Sequence, residues 1–340
     1  MLGEDFDTYN KIGEQGLVKQ LKFINQRNEN MTLIASTESG KCIIYSIQEN
    51  EIINKDSAIN EGLQSTRKDQ PVHMWDIQSR QIVTQFKCQN QMEELITPLS
   101  IKVNPRNQTL LTGHQKGLIK LFDIEQSHEP PDTCSLRVGK SRVKQPVSSI
   151  DYSPNDINFL ACGSYDSKVY LIDQRVFNKV FHTLKDFTKS GVNQVKFTSD
   201  GRYLLVSTRK QSNSIYQWDM RYPREAFVTY NYSRTLNETN QRIYFDIDEN
   251  DKYLYSGNGD GNMIVYDIKQ GQWVATIPSH FDSVGAVACS GKYLASGSGS
   301  RKFKQDVELS ESQLDQQQLG NQDAQFKDYQ KGIRLWQINQ

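Results

Sequence analysis

Seven times along this 340-residue chain, a short run rich in β-branched and aromatic residues closes on a hydrophobic or aromatic side chain. In most copies Asp follows. The first four copies are Cys42-Ile43-Ile44-Tyr45-Ser46-Ile47, Val72-His73-Met74-Trp75-Asp76-Ile77, Leu118-Ile119-Lys120-Leu121-Phe122-Asp123-Ile124 and Val169-Tyr170-Leu171-Ile172-Asp173. The last three are Ile215-Tyr216-Gln217-Trp218-Asp219-Met220, Met263-Ile264-Val265-Tyr266-Asp267-Ile268 and Ile333-Arg334-Leu335-Trp336-Gln337-Ile338. Most recur at a spacing near that of WD-type propeller blades, about 40–45 residues. A unit of this size cannot bury its apolar faces alone and must stack on its neighbours. The period therefore predicts an all-β, seven-bladed WD-repeat β-propeller. It also predicts that function lies on faces assembled from many blades rather than in one local motif.

Each repeat reads as three core strands plus an outer one. In the fifth, Val192-Asn193-Gln194-Val195-Lys196-Phe197 alternates as an inner strand, and Asp200-Gly201 punctuates a turn. Tyr203-Leu204-Leu205-Val206-Ser207 follows, before the strand that carries Trp218. The fourth and sixth repeats have the same layout. The second is short, with only residues 51–63 available for an outer strand plus an inner one, so a degenerate blade is expected there. In the seventh, residues 303–330 are rich in Gln, Asp and Ser and too poor in apolar residues to pack; they read as a flexible surface loop. The remainder forms one propeller domain over residues 1–340. Its last strand ends at the C-terminus without an outer partner, and an unpaired edge is a liability. The segment Phe6-Asp7-Thr8-Tyr9-Asn10-Lys11-Ile12 is predicted to pair with it and close the ring.

Charge and cysteine usage narrow the function classes. Lys plus Arg and Asp plus Glu each number 40, so no global charge points to a nucleic acid or a membrane surface, and any basic patch must be local. The five cysteines are scattered and form no C-x-x-C pair, which suits reduced thiols rather than a disulfide or zinc framework. With no signal-like leader and no membrane-length apolar run, the chain reads as soluble and intracellular. The five histidines have no metal-ligand spacing, and neither a G-x-S-x-G elbow nor a phosphate loop occurs. Gly257-Asn258-Gly259-Asp260-Gly261 precedes a strand rather than a helix and reads as a hairpin turn. Neither enzyme activity nor a cofactor or metal is expected. The aromatic-Asp positions themselves are structural, with the aromatic packed between blades.

The basic residues gain meaning from where the repeat puts them. In a WD-type blade the turn between the second and third strands opens on the same face as the link into the inner strand. Those turns contain Arg67-Lys68, Lys116, Tyr165, Arg209-Lys210 and Arg301-Lys302, and the links add Lys140-Ser141-Arg142-Val143-Lys144 and Asn240-Gln241-Arg242. Repeated on one face of a chain with zero net charge, these form a candidate surface for looped or single-stranded RNA. Arg and Lys would meet phosphates, Asn240 and Gln241 would read base edges, and Tyr165 would stack. The same face could hold an acidic peptide. A rival signal is Trp218-Asp219-Met220-Arg221, a W-D-x-R run of the type found in WD-repeat substrate receptors of cullin ubiquitin ligases. That reading makes the chain a protein-only scaffold.

Several runs go beyond a generic propeller: Arg67-Lys68-Asp69-Gln70-Pro71-Val72-His73-Met74-Trp75-Asp76, Asn90-Gln91-Met92-Glu93-Glu94-Leu95, Ala161-Cys162-Gly163-Ser164-Tyr165 and Thr239-Asn240-Gln241-Arg242-Ile243-Tyr244-Phe245-Asp246. In this order, with Arg209-Lys210 ahead of Trp218-Asp219-Met220-Arg221, they resemble the telomerase Cajal-body WD-repeat protein family. The resemblance is strongest over about 65–125 and 160–270. It implies a non-enzymatic scaffold that recognises a loop of H/ACA-type small Cajal-body RNA, in some lineages of telomerase RNA. It further implies association with H/ACA ribonucleoprotein proteins as a monomer within the complex, no membrane, and residence in a nuclear body with a cytoplasmic pool.

Overall fold

In a computed structural model the described residues are 6–12, 18–25, 31–37, 42–48, 51–59, 71–76, 81–104, 106–138, 140–177, 179–185, 190–209, 214–231, 242–280, 282–298 and 332–338. Among them are six four-stranded sheets and two of two strands, each running antiparallel between neighbours. The complete sheets are blades of the WD β-propeller type. All seven recurring runs of the sequence are third strands or the two-stranded equivalent of one, from Cys42–Gln48 through Gly332–Ile338. By internal contacts the chain divides into two compact units, residues 59–242 and residues 1–58 with 243–340.

In the first of these units, blade four runs Val147–Tyr152, Phe159–Ser164, Lys168–Asp173 and Val180–Leu184 in sequential order. Blade five follows with Val192–Phe197, Tyr203–Thr208, Ile215–Asp219 and Val228–Tyr230. Blade three has the same form, with Ser100–Asn104, Thr109–Gly113, Leu118–Asp123 and Asp132–Ser135. Second strands such as Phe159–Ser164 are buried almost throughout instead of alternating, because their faces pack against blades on either side. Outer strands such as Val180–Leu184 show exposed positions. Trp218 is fully buried with Ala161, Leu171, Val192 and Leu204, as an aromatic packed between blades should be. Gly113 is required here, since a Cβ would overlap Ser100 Oγ and stand 2.8 Å from Val147.

A carboxylate registers one blade against the next. Asp151 Oδ2 on the inner strand of blade four accepts from the backbone N–H of Phe197 on the inner strand of blade five at 2.8 Å. The other unit repeats the device, where Asp246 Oδ2 accepts from Cys289 N at 2.9 Å. Asp246 closes the family-like run around Arg242, so part of that run serves packing.

The second unit contains blade one (Val18–Asn25, Met31–Thr37, Cys42–Gln48 and Glu51–Ile59, all but its last residue) and blade six (Phe245–Ile247, Tyr253–Gly257, Asn262–Asp267, Gln272–Pro278). It also contains blade seven (Val284–Ser290, Tyr293–Ser298, Gly332–Ile338). The strand Phe6–Ile12 completes blade seven as expected, pairing antiparallel from Phe6 opposite Ile338 to Ile12 opposite Ile333. Inside that blade Trp336 Nε1 donates to Ser296 Oγ at 3.1 Å, and the Ser296 hydroxyl meets His280 Nε2 at 2.9 Å. Glu51–Ile59 is the outer strand of blade one. Blade two is described by Val72–Asp76 paired with Gln81–Phe86. Its expected degeneracy turns on residues 60–70, outside the described residues, as do residues 303–330.

One link is more structured than the sequence suggests. Between blades three and four the chain makes a small antiparallel ribbon, Arg137–Val138 against Ser141–Arg142.

Candidate nucleic-acid interface

Tyr165 opens the turn between the second and third strands of blade four, and that turn is tightly specified. Its backbone N–H donates to Pro146 O at 3.2 Å. Ser167 takes a left-handed φ of 62°, an uncommon conformation for a side chain without an amide or carboxylate. Asp166 accepts from the Tyr170 hydroxyl and lies 3.6 Å from Lys168 Nζ. Gly191 passes so close that a Cβ would stand 3.0 Å from Tyr165 Cα and 3.1 Å from its ring. The phenol is thus held by backbone on one side and by its own turn on the other.

Two arginines from distant segments converge on this ring. Arg209 follows the second strand of blade five and is anchored by its N–H on Gly191 O at 2.8 Å. Its guanidinium carbon lies 4.9 Å from the Tyr165 ring centroid. Arg242, 77 residues beyond Tyr165, places its guanidinium 6.0 Å from the same centroid and donates from Nη2 to the Tyr165 hydroxyl at 2.8 Å. Each cation–π contact contributes roughly 0.5–1 kcal/mol at partly exposed sites. All three side chains are half-buried, so each presents an outer edge. Guanidinium forks bind phosphate in bidentate fashion and their planes stack on bases, so the cluster has the chemistry to hold an unstacked nucleotide.

Of the sequence-derived residues, Tyr165, Arg209 and Arg242 are therefore brought together. Lys116 is exposed in the corresponding turn of blade three, with a left-handed φ of 58°. Arg67, Lys68, Lys210, Asn240, Gln241, Arg301 and Lys302 lie outside the described residues. The role of Gly191 was not legible in the sequence, where it is one of 21 glycines. Only the fold shows which residue it must clear.

Beside this face, blade three holds a buried polar chain. His114 Nδ1 meets the Thr97 carbonyl at 3.2 Å, so that nitrogen carries the proton, and Nε2 accepts from the Thr112 hydroxyl at 2.9 Å. The Cys88 thiol completes it on Thr112 Oγ1 at 3.7 Å. Burial lowers the His114 pKa to about 4 and pushes the Cys88 thiol up to about 11. Both are neutral near pH 7, which suits a structural role and leaves the thiol unreactive. Among the described residues no cluster of His, Cys, Asp and Glu could hold a metal, and no helix is long and apolar enough to cross a membrane.

The W-D-x-R run has a local explanation. Arg221 Nε and Nη2 donate to the two Asp219 oxygens at 3.0 and 2.6 Å, and the Arg221 backbone N–H adds a third bond at 3.0 Å. These bonds hold the Asp219 carboxyl down to about 2. Asp173 and Arg175 repeat the arrangement in blade four, at 3.0 and 2.6 Å. In both blades the pair closes the turn after the third strand.

The same two blades match a family model. Residues 136–173 and 178–219 match "WD domain, G-beta repeat". The wider chain is similar to proteins named telomerase Cajal body protein 1: the mouse protein is 28% identical over 210 residues, covering 60% of this chain and 37% of the relative. The chain carries WD repeats and is similar in sequence to the telomerase Cajal body proteins. A homolog from Drosophila melanogaster is 27% identical, covering 70% of this chain and 43% of the relative. The Bos taurus protein is 25% identical, covering 80% and 50% respectively. This chain thus spans half or less of the length of these family members.

Proposed function

We propose that this chain is a non-enzymatic RNA-binding scaffold, built as one seven-bladed propeller over residues 1–340, that holds a loop of an H/ACA-type small Cajal-body RNA or of telomerase RNA. The observation that carries the reading is the convergence of Arg209 and Arg242 on Tyr165 from separate blade segments. A structural ring between blades needs no guanidinium stacked on it and no second one on its hydroxyl. A splayed nucleotide can use both, with a base stacked on an aromatic or guanidinium plane and a phosphate held by a guanidinium fork. The names of the relatives, telomerase Cajal body proteins, support the setting, and the H/ACA-type RNA is what the sequence resemblance implies. Arg67, Lys68, Lys116, Lys210, Arg301 and Lys302 would extend the phosphate-binding face, with Asn240 and Gln241 reading base edges. The scaffold would accompany H/ACA ribonucleoprotein proteins and support their assembly or residence in a nuclear body.

The test is direct binding of an H/ACA-type stem-loop across a salt series. Arg209→Ala with Arg242→Ala should weaken binding about tenfold or more at moderate salt. It should also lower the slope of log affinity against log salt by about 1–2, at roughly 0.7 per single-strand phosphate contact. Unchanged affinity and slope would show that this cluster does not bind the RNA. Sequencing of RNA crosslinked to the purified protein tests the ligand class, and recovery of no H/ACA-type RNA would overturn it.

A further inference from the structure

The ribbon between blades three and four opposes like charges. Arg137 lies directly across from Arg142, and Val138 across from Ser141. Like charges directly opposite destabilise a strand pair, by a few tenths of a kcal/mol to about 1 kcal/mol. Nothing nearby in sequence relieves them, since residues 133–150 contain no Asp or Glu. Lys140 and Lys144 add to the charge, and all four cations are exposed. None of the four is in an ion pair among the described residues.

The mount beneath these cations is rigid. Leu136 and Val143 are buried in the same core as Leu111, Ile119 and Val147. Val143 N donates to Leu136 O, Leu136 N to Gly117 O and Gly117 N to Gln145 O, each at 2.9 Å. Gly117 has a φ of 64°, and a Cβ there would stand 2.7 Å from Val143 Cβ, so the turn and the ribbon are locked face to face. Lys116, the residue before it, adds a fifth exposed cation at the ribbon's base. The ribbon's trailing leg then runs through Gln145 to Pro146, whose carbonyl accepts from Tyr165 N. Basic ribbon and Tyr165 cluster are therefore continuous.

We infer that the ribbon cations, with Lys116, grip the phosphate backbone of a double-stranded RNA stem beside the loop taken by Tyr165, Arg209 and Arg242. The inference rests on the RNA-binding reading above and adds to it a second element of the ligand. The ribbon's other exposed side chains are Val138, Ser141 and Gln145, with no aromatic among them. Single strands are held by stacking platforms, whereas duplex RNA is recognised mostly through its shape and its phosphate and 2′-OH contacts, which need no aromatic platform. A terminal loop is also necessarily closed by a stem.

The experiment compares two RNAs, an H/ACA-type stem-loop and its loop sequence as an unstructured oligonucleotide. Arg137→Gln, Lys140→Gln, Arg142→Gln and Lys144→Gln are combined in one variant. It should bind the stem-loop about tenfold or more weakly, with the salt slope lowered by about 2–3, while the isolated loop binds within twofold of wild type. Its melting temperature should be unchanged or raised, because the opposed arginines are gone. Arg209→Ala with Arg242→Ala should weaken both RNAs. Wild-type affinity of the combined variant for the stem-loop would overturn the ribbon assignment and leave the loop site standing. Equal loss for both RNAs would overturn it too, as would intact RNA binding with loss of an acidic protein partner. If the wild-type protein binds neither RNA, the function itself is refuted and the ribbon assignment with it.

Discussion

At the residue scale, chemical identity and role separate clearly. Tyr165 and Tyr170 stand five residues apart in one blade. Tyr170 is fully buried and spends its hydroxyl on Asp166, while Tyr165 is half-buried and meets two arginines. His114 illustrates the structural end of the range. The folded chain keeps its imidazole neutral down to about pH 4, whereas the unfolded chain takes up the proton near the ordinary value of 6.5. Between these values the unfolded state binds more protons, so the stabilisation is present above pH 6.5 and lost as pH falls toward 4. Denaturant titrations at stepped pH should show wild type losing roughly 3 kcal/mol more than His114→Gln over that window. Parallel pH profiles for the two proteins would mean that His114 titrates freely in the fold.

At the element scale, the strands themselves were legible and their partners less so. Inner strands Val147–Tyr152 and Val192–Phe197 and the second strand Tyr253–Gly257 lie where alternation and turn residues put them. Backbone pairing of Phe6–Ile12 with Gly332–Ile338 was also legible, because a blade that lacks an outer strand leaves a row of unmatched N–H and C=O groups. Deleting residues 1–12 should destabilise the protein by roughly 3 kcal/mol and promote self-association, since six paired positions are lost and an edge is opened. Chemical denaturation and size-exclusion chromatography check this. A monomeric variant of unchanged stability would show that the pairing contributes little. The ribbon of Arg137 and Arg142 was not legible, because two-residue strands are too short for any periodicity to register.

For the whole molecule, zero net charge conceals strong local contrast. The basic ribbon holds no acid, while Glu93 and Glu94 are exposed in the family-like loop before blade three. Long-range attraction of RNA would therefore come from the local field of one face rather than from net charge, and would weaken steeply with salt. The internal contacts divide the chain into two units, one of which joins both chain ends through blade seven. If residues 1–340 form a single propeller, as proposed, they should unfold as one cooperative body, because repeat units of this kind bury their faces against one another. Differential scanning calorimetry should show one transition. Two transitions separable by cutting near residue 59 or 242 would instead mark independently folding halves.

By itself the sequence determined the repeat, the positions of most blade strands, their turns and the completion of blade seven. All of these follow from local periodicity or from an unmatched strand edge. Only the tertiary structure decided which cations belong together. Arg209 and Arg242 reach Tyr165 across 44 and 77 residues, and the contact depends on the stacking of successive blades and on a glycine that lets two loops touch. Sequence spacing along a repeat shows that residues share a face. Distances on that face come from blade packing, which is a property of the whole fold.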